Sequence, residues 1–152
     1  MELKIQKSTA KKLYPETPDW FKEVLIETFG KDSFEKKDFK SIKTLQDAAE
    51  ETGHGQGYLR TQDPETRDEW AYRMLKMVAK AINQGWVPDW NNSDQKKWWP
   101  WFNLSSGFGF SDSCYYYGLA STAVGSRLCF ETEEKSDYAA NQFMEIYKEF
   151  LT

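Results

Sequence analysis

One histidine and two cysteines limit the chemistry this chain can perform. Nucleophilic catalysis of the Ser-His-Asp or Cys-His kind would have to use His54, the sole imidazole. His54 stands in Gly53-His54-Gly55-Gln56-Gly57, where glycines hold a ring poorly in place, so it reads as a solvated loop residue. These glycines have no Lys-Ser/Thr after them and no strand before them, unlike a phosphate loop. One His and two Cys separated by fourteen residues do not make a zinc site. Cys114 and Cys129 read as reduced core thiols, with a cross-strand disulfide as the alternative. Asp63, Glu65, Asp68 and Glu69, like Glu131, Glu133 and Glu134, fit the acidic first turn of a helix. A carboxylate hydrolase would need two such acids to converge in one cleft. The reading therefore assigns no catalytic residue, no metal ligand and no cofactor, and leans away from an enzyme.

The aromatic residues offer more. The chain has seven Trp, eight Tyr and ten Phe, and twelve of these lie between Asn83 and Phe130 beside only six charged residues. Trp86, Trp90, Trp98, Trp99 and Trp101 fall within sixteen positions. Such rings either build a core or stack on bases and sugars. Neighbouring side chains on a strand point to opposite faces, so Trp98 and Trp99 cannot both enter one core. Arg127 is the only arginine after Arg73, and on a strand it would share a face with Cys129 while Leu128 and Phe130 turn to the core. It either stacks on the aromatics or presents its fork to a phosphate or carboxylate. Trp98, Trp99, Trp101, Tyr116, Arg127 and Lys97 are the candidate ligand-binding residues.

The elements that must position them follow from capping and periodicity. Residues 1–16, with Lys4, Lys7, Lys11 and Lys12, read as a flexible basic arm, and residues 17–152 as a single domain. Thr17-Pro18-Asp19 opens a helix with the stripe Trp20, Phe21, Val24, Leu25 and Phe29, and Gly30 closes it. Thr44 opens a short helix that stops at Gly53. Asp63-Pro64-Glu65 opens a longer one, with Trp70, Met74, Met77, Val78 and Ala81 facing inward and Gly85 ending it. The helical part thus covers 17–84. Residues 98–130 read as an antiparallel meander of about three strands, with Pro100 marking an edge or bulge. One C-terminal helix over 133–151 packs on the sheet. Helices, then strands, then a closing helix give an α+β domain.

At 152 residues and 17.8 kDa the chain has the length of one domain. Its mean hydropathy of −0.78 and the lack of an apolar run near the ~20 residues of a membrane helix argue against a membrane protein. No apolar leader core follows Met1, so a cytoplasmic location is expected. The net charge is −4 and the pI about 5.1, which argues against sequence-independent duplex binding.

The motifs Gly85-Trp86-x-Pro88-Asp89-Trp90, Trp99-Pro100-Trp101-Phe102, Ser106-Gly107-Phe108-Gly109-Phe110, Val124-Gly125-Ser126-Arg127-Leu128-Cys129-Phe130 and Tyr138-Ala139-x-x-Gln142-Phe143 run in order. With the segment from Ile42 to Ala48, this set resembles an uncharacterised family of small proteins encoded by phages and prophages of Bacteroidota. The resemblance spans Ile42 to Leu151. Where related sequences favour Tyr-Tyr before Pro-Trp-Phe, this chain has Trp98-Trp99, which keeps the aromatic character. It implies a phage-derived protein in the bacterial cytoplasm and implies no activity. The leading expectation is a non-catalytic module that binds a nucleotide or single-stranded nucleic acid on its aromatic and arginine surface. The alternatives are an adaptor or inhibitor of a host protein, a homodimer built on that surface, and a small enzyme.

Overall fold

The computed structural model describes residues 5–35, 37–105, 107–116 and 127–152. The chain forms two compact units, one ending at Asp38 and the other running from Phe39 to Thr152. In the first unit, α1 spans Lys7–Leu13 and α2 spans Asp19–Phe29. Tyr14 stacks on Phe34 at 4.3 Å, and Phe29 meets Phe34 edge-on. Of the apolar stripe expected along α2, only Leu25 is buried, while Trp20 and Val24 are exposed. Trp20 and Val24 lie one turn apart, on a different side of the helix from Leu25.

The second unit carries α3 (Leu45–Thr52), α4 (Arg67–Asn83), β1 (Lys97–Asn103), β2 (Gly109–Tyr116), α5 (Glu133–Gln142) and α6 (Met144–Leu151). A capping box starts α3: Asp47 N–H donates to the Thr44 hydroxyl, and the Asp47 carboxylate accepts from Thr44 N–H at 2.8 Å. The Thr44 hydroxyl bond holds the Asp47 carboxyl below its ordinary range. The long helix α4 begins at Arg67, four residues after Asp63, because the Glu69 carboxylate caps Thr66 N–H at 2.7 Å. Trp70, Met74, Met77, Val78 and Ile82 of α4 then form the centre of the core, packed with Ala48, Ala49, Phe130, Ala139 and Phe143.

The fold is α+β, and among the described residues the sheet has two antiparallel strands rather than the expected three. The register pairs Lys97 with Tyr116 and Trp99 with Cys114, and a bulge falls between Trp101 and Phe102. The expected third strand, Val124 to Phe130, lies partly outside the described residues. Its described end contributes one residue: Phe130 exchanges both backbone hydrogen bonds with Trp98, at 2.8 and 3.0 Å. Arg127 and Leu128 lie in a turn before Phe130, and Thr132 caps α5 just after it.

The expected single C-terminal helix is two helices. Phe143 leaves helical geometry (φ −115°, ψ 28°) and is buried. The break lets α5 pack on the hairpin, where Ser113 Oγ donates to Ser136 Oγ at 2.8 Å, while α6 packs along α4. Among the described residues, no helix is long and apolar enough to cross a membrane.

Candidate functional site

Alternation along β1 sorts the predicted residues. Lys97, Trp99 and Trp101 share one face, and their cross-strand partners are Tyr116, Cys114 and Asp112. Trp98 and Phe102 share the other. Trp98 is half-buried against the α4 core and touches Tyr115 with ring centroids 4.9 Å apart, and Phe102 packs on Tyr147. The structure therefore brings Lys97, Trp99 and Trp101 into one line and takes Trp98 away from it. Tyr116 pairs with Lys97 through its backbone, and its side chain lies outside the described part. Arg127 is exposed in the turn before Leu128.

Exposure along this line runs from closed to open. Lys97 is 0% exposed, Trp99 6% and Trp101 55%. Lys97, a candidate ligand-binding residue, is interior. Its Nζ donates to the Gln95 carbonyl at 3.0 Å and the Asn92 carbonyl at 3.3 Å, and lies 5.3 Å from the centre of the Trp90 ring. Trp90 in turn lies 6.5 Å from Trp99. The loop that delivers these partners is shaped by its own side chains: Asp89 accepts from Asn91 N–H, Asn92 from Asp94 N–H, and Gln95 from Asp89 N–H. Trp90 as the cover of this face is the residue that sequence reasoning missed. The signal was the run of Asp and Asn from Asp89 to Asp94, which marks a loop folded on itself.

The electrostatics follow from the packing. Burial pushes the Cys129 thiol up to about 11, against a smaller opposing pull from the Lys97 ammonium. Cys129 is thus a core thiol, whereas Cys114 is exposed on the outer face, and neither forms a disulfide. Burial also raises the Tyr147 phenol. On the other side of Trp98, Lys96 Nζ sits 4.4 Å over the exposed Tyr115 ring.

A second cluster corrects the reading of His54. The ring is half-buried and stacks on Tyr58 at 4.0 Å, and Arg73 lies 4.6 Å from the centre of the same Tyr58 ring. Thr52 Oγ1 stands 2.8 Å from His54 Nδ1 and 2.7 Å from the Ala48 carbonyl. Arg73 also donates to the Tyr58 and Arg60 carbonyls and pairs with both Glu65 oxygens, at 2.7 and 2.8 Å. That guanidinium pulls the Glu65 carboxyl down to about 2. The cluster closes the 53–66 connection onto α4.

Two surface grooves lie elsewhere. One, of about 630 Å³, runs beside the Arg67–Glu149 ion pair, and one of about 470 Å³ lies between Lys43 and the α5–α6 break. Neither is lined by any of the six predicted residues. Among the described residues, no group of three His, Cys, Asp or Glu is placed to hold a metal ion. No family model, no curated protein and no solved structure matches the chain.

Proposed function

We propose that the protein is a non-catalytic binding module whose ligand seats on the Lys97–Trp99–Trp101 face of the hairpin, and that the ligand is a nucleotide or a short single strand. The observation that carries this reading is Trp101, 55% exposed on a strand, in line with a second tryptophan and a lysine. An exposed ring on a strand is a stacking platform worth about 1–3 kcal/mol per base. Asp112, opposite Trp101, accepts the amino and ring N–H donors that base edges present. Lys97 lies at the closed inner end of this line, and the exposed Arg127 offers a phosphate-binding fork. The setting is a phage-derived protein in bacterial cytoplasm.

A second reading is favoured by Leu104 and Tyr115, which like Trp101 are large and exposed. They suit a protein partner, either a host factor or a second copy of the chain, because tryptophan anchors such interfaces. Calorimetric titration with nucleoside monophosphates and an eight-residue oligothymidylate tests the first reading. Trp101→Ala is expected to weaken binding at least tenfold, while Trp20→Ala, in the other unit, leaves it unchanged. Equal binding by Trp101→Ala and wild type overturns it.

A further inference from the structure

We propose that residues 85–96 form a lid, and that the Trp90 ring occupies the place a ligand's ring would take against Lys97 and Trp99. This inference rests on the reading of the hairpin face as a binding seat, and it adds that the face is closed in the unliganded protein. The ring and the two carbonyls around the Lys97 ammonium all come from this one segment: Trp90, Asn92 and Gln95. Together they imitate a ligand that has a π face and, next to it, oxygen acceptors. A nucleotide offers the same pair, with its base for Trp99 and its phosphate for the ammonium.

Three features make the segment separable from the hairpin. The hinge is marked at its start, where Gln84 (φ 51°) and Gly85 (φ 93°) take successive positive-φ conformations after α4. Internal side-chain caps at Asp89, Asn92 and Gln95 let the loop keep its shape when it lifts. Closure also withdraws a charged ammonium from water and gives it neutral carbonyls, a costly exchange that opening reverses. The lid is therefore held by an interaction that solvent or an anionic ligand replaces well. Trp99 is the platform uncovered by opening, and Trp101 is the part already exposed.

The test has two measurements on the full chain. Native-state hydrogen exchange read by mass spectrometry compares residues 84–96 with residues 97–116. The lid predicts exchange at least tenfold faster in the first segment, in one cooperative step. Equal rates in the two segments overturn the lid, whatever the protein binds. Calorimetry with guanosine monophosphate and oligothymidylate then compares wild type, Trp90→Ala and Trp90→Leu, so that a folding failure of one variant leaves the other to decide. Removing the Trp90 ring is expected to tighten binding at least tenfold. Unchanged or weaker binding by the Trp90 variants, with Trp101→Ala still impaired, overturns Trp90 as the resident occupant and leaves the binding face standing. Where Trp101→Ala binds like wild type, the binding face itself fails, and the lid's role with it.

Discussion

The Asn83 side-chain amide donates to the Cys129 carbonyl at 2.8 Å, across 46 positions of sequence. Its oxygen accepts from Glu131 N–H at 3.1 Å. The last residue of α4 thus brackets Phe130 by imitating a neighbouring strand, while Trp98 holds the backbone of Phe130 itself. Asn83→Ala leaves a carbonyl and an N–H without these partners beside the core. The expected loss is about 2–4 kcal/mol, from two unmade hydrogen bonds. Urea unfolding followed by circular dichroism should show a lower midpoint with the slope unchanged.

Acid should weaken the Glu65–Arg73 pair. The folded Glu65 carboxyl sits at about 2, below its ordinary 4.5, because Arg73 bonds its charged form. A depressed carboxyl contributes stability that is complete above the ordinary value and disappears as pH falls through the folded one. Melting temperatures of wild type and Glu65→Gln, taken from pH 7 down to pH 2.5, should differ most above about 4.5 and converge toward about 2. A constant gap across this range would mean that the charge contributes nothing.

Gly85 and Gly57 should respond in opposite ways to alanine. An added Cβ meets nothing within 4 Å at either position, so the cost is conformational alone. Gly85 has φ 93°, which L side chains rarely adopt, and Gly85→Ala should destabilise by about 1–2 kcal/mol. Gly57 lies inside the short 3-10 turn Gln56–Leu59 without a positive φ, and Gly57→Ala should stabilise by about 0.4–1 kcal/mol. Thermal unfolding of the two variants side by side checks both signs.

The two cysteines should separate kinetically. Cys114 is exposed, whereas Cys129 is buried with its thiol pushed up to about 11. A thiol-disulfide reagent at pH 8 should titrate one thiol in the native protein and both in denaturant, because only the thiolate attacks. Two fast thiols in the native protein would place Cys129 in contact with solvent.

The helices were legible because their signals are local. Thr44 as the start of α3, Gly30 and Gly53 as stops, and the inward stripe of α4 follow from nearby residues, whereas the α4 start at Thr66 and Glu69 falls beyond the expected Asp63. The rule that Trp98 and Trp99 must part was legible too, since it follows from the pleat alone. Which of the two stays covered was not legible. That depends on the core cluster lying under Trp98 and on a loop from before the strand folding back over Trp99.

The sequence by itself determined the helix between Thr44 and Gly53, the inward stripe of α4, the aromatic β-rich stretch and the outline of an α+β domain. Only the tertiary structure decided that Phe130 joins the hairpin as a single bridge to Trp98, that the last helix breaks at Phe143, that Lys97 is interior, and that His54 is a packed ring. The reason is physical. Caps and periodicity are properties of neighbouring residues, whereas burial of a lysine or a histidine depends on partners brought from elsewhere in the chain. Carbonyls of Asn92 and Gln95, the Tyr58 ring and the Asn83 amide acquire their roles only once the chain has closed on itself.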